Sequence, residues 1–141
     1  VEKLAFQISN QINAVTPITP VSLACSILLG AGKRALGEAE FRAQAARLVD
    51  YAHERGIDVT QEVSAGADSA LRCATDALAG TGVIERYAGG VEPVYYVTEK
   101  GRHAASYYRN TVIHFFVNPA IAGGERHDLA RPDVPPPTVS R

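Results

Sequence analysis

His53 and Asp58, in "HERGID", stand in an H-x-x-x-x-D spacing. A histidine held by an aspartate could serve at such a spacing as the general base for attack by a hydroxyl. Gly56 falls between them where a helix should end, so the two side chains are expected to point apart. His53 is then better explained as a cation favouring the C-terminal end of a helix dipole. In "LGAGKR" two glycines precede Lys33, but the stretch lacks the length and the final Gly-Lys-Ser/Thr of a P-loop and follows no strand. It reads as a helix-to-helix turn with Lys33 and Arg34 exposed. Cys25 and Cys73 each sit inside an apolar helical pattern and read as small buried hydrophobes, with no CxxC or Cys/His spacing that would suggest zinc. No Gly-x-Ser-x-Gly elbow is present, nor a carboxylate pair at helical spacing within an apolar face. On its own residues the chain is therefore expected to carry no active site, no cofactor and no metal.

The other unusual placement of polar groups is in "YYRNTVIHFFVNPAIA", residues 107–122. Read as a helix, Asn110, His114 and Asn118 fall at i, i+4 and i+8 and line up on one side, while Tyr108, Val112, Phe115 and Phe116 cover much of the rest. Large apolar side chains around a polar seam describe a contact surface better than a reaction site. Tyr108, Arg109, Asn110, His114, Phe115 and Asn118 are accordingly the candidate interface residues, with Arg109 free to meet a carboxylate or phosphate.

The elements that must position these residues can be read from periodicity. Leu4, Ile8, Ile12 and Val15, with Phe6 and Ala5 beside them, predict a first amphipathic helix over about 2–14. Thr19 as N-cap and Pro20 at the first helical position start a short, wholly apolar helix that stops at the 30–32 turn. Phe41, Ala45, Leu48, Val49 and Ala52 share one face of a third helix over about 38–55, closed by Gly56. A polar loop follows, then a helix over 68–79 carrying Leu71, Ala74, Thr75 and Leu78. Two short β-branched and aromatic runs, 83–87 and 94–98, predict a hairpin with a longer loop. Thr98 or Glu99 is expected to cap a final helix over about 99–118, which Pro119 disrupts. Residues 123–141 are rich in proline, glycine and charge and read as a mobile tail. The expectation is a mainly α fold of about five helices with one β-hairpin, the second half arranged like a winged helix, over residues 1–122.

Composition limits what such a domain can do. The 141 residues suit one domain or a piece of a larger protein, and 14 basic against 15 acidic residues leave a net charge of −1. That balance disfavours nucleic acid as a partner. The helix over 68–79 offers Arg72 beside Asp68 and Asp76, too little positive charge for reading DNA. Residues 1–15 lack the apolar core of a secretory signal, which makes a reducing cytosolic setting the default. The run 107–122 is shorter than the roughly 20 apolar residues a spanning helix requires.

Two segments, "KLAFQISNQINAVTPITPVSLACSILLG" (3–30) and "YYRNTVIHFFVNPAIA" (107–122), resemble the region downstream of the catalytic domain in bacterial glycerol-3-phosphate acyltransferases, particularly the actinobacterial type. "RALGEAEFRAQAARLVDYAHERG" fits the intervening helix of that family, and "ALAGTGVIERY…EPVYYV" the stretch ahead of the final helix, so the resemblance covers residues 3 to about 122. It implies a membrane-associated parent enzyme that moves a fatty acyl group from acyl-CoA or acyl carrier protein to the 1-hydroxyl of glycerol 3-phosphate. The family's histidine-aspartate, arginine and proline motifs belong upstream of the matched region, and no residue of this chain corresponds to them. The implied role is an accessory domain that packs on the acyltransferase catalytic domain. A peripheral position on the cytoplasmic side of the cell membrane, with the membrane surface as a second partner, goes with that role. After "NPAIA" the family continues helically, whereas this chain turns to Gly123 and Gly124. Two other readings stand beside it: a winged-helix regulator, and a free-standing interaction domain.

Overall fold

The computed structural model describes residues 16–117 and, ahead of them, Leu4. The first helix expected over 2–14 and the tail over 123–141 lie outside the described residues, as does Asn118. The polypeptide forms helix α1 (Pro20–Gly30), a two-residue strand β1 (Leu36–Gly37), helices α2 (Glu38–Glu54) and α3 (Gln61–Gly80), strands β2 (Ile84–Tyr87) and β3 (Val94–Val97), and helices α4 (Arg102–Asn110) and α5 (Ile113–Val117). The mainly helical class with a hairpin, and the helix, hairpin, helix order of the second half, are as expected from the sequence.

α1 is the centre. Its sequence, PVSLACSILLG, is apolar on nearly every side, and a helix of that kind must be surrounded. Ser22, Leu23, Ala24, Cys25, Ile27 and Leu28 are all buried, and α1 lies against α4, α3, α2 and β3. The buried serine is tolerated because it is fully used. The Ser22 backbone N–H donates to Thr19 Oγ1 at 3.1 Å, and Ser22 Oγ accepts from the Thr19 backbone N–H at 3.0 Å, a reciprocal capping box. Pro20 follows at the first helical position, where its missing N–H has no partner to lose. Thr19→Ala should therefore cost about 1 kcal/mol, read as a lower urea midpoint with an unchanged denaturant slope.

α2 and Gly56 follow the sequence closely. Phe41, Ala45, Val49 and Ala52 are buried at helical spacing. Gly56 adopts φ +63 beyond the end of the helix, its N–H donating to the His53 carbonyl at 3.2 Å while Ile57 N–H reaches the Ala52 carbonyl at 2.9 Å. That left-handed residue is what a glycine supplies at low cost.

Three expectations about boundaries change. α3 begins at Gln61 rather than 68, so most of the expected polar loop is helical, with a break in helical geometry at Gly66. Buried Val63 anchors this first piece to the core, which offsets a stretch with little apolar periodicity. Residues 18 and 59 also form a parallel bridge, with Ile18 N–H donating to the Asp58 carbonyl at 2.8 Å and Thr60 N–H to the Ile18 carbonyl at 3.0 Å. Second, the hairpin is part of a three-stranded antiparallel sheet of order β1-β3-β2, with Leu36 opposite Tyr95 and Ile84 opposite Val97. Third, the final helix is not continuous. Thr98 Oγ1 accepts from Gly101 N–H at 2.9 Å, α4 starts only at Arg102, and the helix is interrupted at Thr111 and Val112 before α5. The interruption has a local cause. Thr111 donates its hydroxyl to the Tyr108 carbonyl at 2.7 Å, and the β-branched Val112 turns fully into the core.

Candidate interaction surface

The break between α4 and α5 falls within the expected polar seam, between Asn110 and His114. Asn110 and Thr111 close α4, and His114 belongs to a separate five-residue helix. Asn110 Oδ1 accepts from the Arg109 guanidinium at 3.1 Å, an exposed contact between sequence neighbours. His114 is half-buried with its ring centroid 3.9 Å from that of Phe115. Phe115 is 7% exposed and belongs to the core rather than to an outer face. Its carbonyl oxygen lies 3.5 Å from the Tyr51 hydroxyl, and the ring of Phe116 packs 6.0 Å from that of Tyr51, so α5 is fastened to the end of α2.

Of the candidate interface residues, Tyr108 and Asn110 are exposed, and Tyr108 is joined by a neighbour that periodicity did not single out. Tyr107 is 70% exposed, Tyr108 39%, and their rings meet edge to face at 5.7 Å. Exposed tyrosines paired in this way present rigid apolar area with a polar tip, a common composition of contact surfaces. They form one wall of an open groove of about 1060 Å³. Thr16, Thr19, Pro20 and Val21 line another part of it, and its remaining wall is the outward side of α3. Beyond Glu62 at its start, that side is built from small residues: Ala65, Gly66, Ser69, Ala70, Cys73, Ala74 and Ala77.

The groove also corrects the reading of the cysteines. Cys25 is buried in α1, and burial pushes its thiol up to about 12, which keeps it protonated and unreactive near neutral pH. Cys73 is exposed in the groove, on the side of α3 away from the buried Leu71 and Leu78. The rule that isolated cysteines are buried holds for one of the two. A helix of small residues with alanine on both faces does not announce from sequence which face is inside.

Charge elsewhere is arranged as surface pairs. Arg34 meets Glu40 at 2.6 Å, holding that carboxyl below its ordinary range through the hydrogen bond from the guanidinium. Arg42 reaches Glu38 at 3.3 Å and Asp68 at 3.9 Å. The exposed positions of α3 carry Glu62, Asp68 and Asp76 against Arg72, so no basic stripe runs along this helix. His53 lies exposed in the last turn of α2, with Gly56 between it and Asp58. Among the described residues no group of three or more histidine, cysteine, aspartate or glutamate side chains could hold a metal ion. No helix among them is long and apolar enough to cross a membrane.

What these residues define is a small helical domain with a three-stranded sheet and one apolar surface groove. The chain belongs to the glycerol-3-phosphate acyltransferase C-terminal region family, which matches residues 1–123. It is 32% identical over 122 residues to proteins named "Putative acyltransferase plsB1" from Mycobacterium bovis and Mycobacterium tuberculosis. The alignment takes in 86% of this chain and 20% of each relative, so the chain spans about a fifth of the length of the proteins it matches. No solved structure matches it significantly.

Proposed function

We propose that this chain is the C-terminal accessory domain of a glycerol-3-phosphate 1-O-acyltransferase, packing on the catalytic domain of the parent protein and contributing no reacting group. The observation that carries this reading is the match of nearly the whole chain to only a fifth of each related acyltransferase. The parent enzyme would transfer an acyl group from acyl-CoA or acyl carrier protein to glycerol 3-phosphate at the start of phospholipid synthesis. It would work as a peripheral protein on the cytoplasmic side of the membrane. The order α1, β1, α2, α3, β2, β3 is winged-helix-like, and here that shape serves protein packing. The outward side of α3 is acidic or small where a DNA reader needs cations. The contact face is the aromatic edge of α4, with Tyr107 and Tyr108 as anchors and Arg109 and Asn110 at its rim. His114 stands beyond the break, and Asn118 lies further along the chain.

The test uses two preparations. The 141-residue chain mixed with glycerol 3-phosphate and acyl-CoA should give no turnover above background. It should also bind the separately produced catalytic domain of the parent protein, and the double substitution Tyr107→Ala and Tyr108→Ala should weaken that binding at least tenfold, the scale on which paired aromatic anchors act. Turnover by the chain alone, or binding indifferent to both tyrosines, would overturn the reading.

A further inference from the structure

We propose that the end of the domain where three turns meet, carrying Lys33 and Lys100, is a contact face for an anionic lipid surface. The proposal rests on the acyltransferase reading in one respect, since that reading supplies the membrane. The turns follow α1 (residues 31–34), α3 (81–82) and β3 (99–101). Two hydrogen bonds tie them into one end: Thr98 Oγ1 donates to the Gly82 carbonyl at 2.8 Å, and Arg102 Nη2 donates to the Gly32 carbonyl at 3.2 Å. Segments 70 positions apart in the chain thereby bring their cations together.

The charge at this end is not spent inside the chain. Arg34, Arg42 and Arg102 each meet a carboxylate, at Glu40, Glu38 and Glu99. Lys33 and Lys100 are exposed, and among the described residues neither has an ion-pair partner. Apart from Glu99, which Arg102 takes up, exposed carboxylates such as Asp50, Glu62, Asp76 and Glu92 lie on the helices and the hairpin loop. A chain of net charge −1 is thus polarised, with a positive end. Relief matters as well. Gly30, Gly32, Gly80 and Gly82 are exposed and carry no side chain, so the backbone of the turns stays low and the lysines reach past it. A low surface with projecting ammonium groups suits a layer of lipid phosphates, which a lysine meets as a point charge. It suits a duplex poorly, because a DNA binder makes about 6–10 phosphate contacts and two lysines do not supply them. Each cation near an anionic bilayer is worth about fivefold in affinity, so two give a weak contact that orients a domain held in a larger enzyme.

Co-sedimentation of the 141-residue chain with vesicles tests this at about 0.1 M salt, where charges more than about 10 Å from the bilayer are screened. Vesicles of equal parts phosphatidylglycerol and phosphatidylcholine should be bound at least tenfold more tightly than pure phosphatidylcholine. Lys33→Glu with Lys100→Glu should lower that binding at least tenfold. Arg47→Glu with Arg72→Glu, at exposed positions of α2 and α3, changes net charge equally and should lower it by less than about threefold. Equal binding to the two kinds of vesicle, or equal losses in the two double variants, would overturn the proposal. Binding to a DNA duplex as tight as to the charged vesicles would also overturn it and give the lysines to nucleic acid. The two readings fail separately, because vesicle binding is measured without the catalytic domain. Tyr107→Ala with Tyr108→Ala should leave vesicle binding unchanged, and a loss there would move the membrane to the α4 face and overturn the proposal.

Discussion

Gly101→Ala should destabilise the domain by about 3 kcal/mol, the upper part of the range for forcing an added methyl group into a packed interior. Gly101 is buried at the corner between β3 and α4 with φ −81, an ordinary conformation for any residue. Its requirement for glycine is one of space. A Cβ at this position would lie 2.5 Å from Val83 Cα and 2.6 Å from the Val83 carbonyl carbon, with the carbonyl oxygen nearer still. These are backbone atoms, and neither side can swing aside. Val83 N–H is tied to the Leu78 carbonyl at 3.0 Å, and its carbonyl accepts from Thr98 N–H at 3.1 Å. Gly101 N–H is held by Thr98 Oγ1, whose hydroxyl in turn donates to the Gly82 carbonyl at 2.8 Å. The end of α3, the start of β2 and the start of α4 thus meet at one point, and the methyl group must separate them. Gly90→Ala is the matched control. Its Cβ would find only the Glu92 carbonyl oxygen at 3.7 Å, an ordinary contact, and its stability should stay within about 0.5 kcal/mol of the parent. Urea unfolding of the two variants side by side measures the difference; a Gly101→Ala protein as stable as Gly90→Ala would show that the corner can open.

The contrast between these glycines marks where sequence stops being informative. Thr19, Pro20 and Gly56 act through bonds to residues a few positions away, so the ends they set were readable in the chain itself. Gly101 acts through Val83, 18 positions earlier, and nothing in "EKGRH" distinguishes it from a turn glycine. The same holds for the surface. Tyr108 was legible as an interface candidate because it sits in an apolar helical run, yet Phe115 from that same run is core. An interruption at Thr111 and Val112 separates it from α4, and its carbonyl lies against Tyr51 of α2. The same interruption stands between Asn110 and His114. The groove was the least legible feature, because its α3 wall is, apart from Glu62, alanine, glycine, serine and cysteine, residues that a periodicity reading counts on either side of a helix. Cys73 took its place there against the expectation that it was buried.

β1 is a sharper instance and supports the second large effect. Leu36 and Gly37 are two residues, below the length at which alternation can be recognised, and their partners Tyr95 and Val94 lie almost 60 positions away. Yet Leu36 is fully buried and belongs to the same core as Leu23, Leu28, Phe41 and Tyr95. The ring of Tyr95, opposite Leu36 in the ladder, packs against Phe41 with centroids 5.7 Å apart, so sheet and α2 meet around this side chain. Truncating Leu36 to alanine leaves a cavity whose walls are the central strand on one side and helices on the other. Such walls collapse poorly, and the loss should be about 3 kcal/mol, within the 2–5 kcal/mol of buried leucine truncations. Ala35→Ser, one position earlier and exposed, should change stability by less than about 0.5 kcal/mol. Native-state hydrogen exchange separates this effect from general loosening. Leu36→Ala should speed exchange at the amides of β3 and the start of α2 by more than at those of the α5 turn, which is fastened instead through Tyr51. Equal acceleration throughout would mean that β1 is held by the rest of the core rather than helping to hold it.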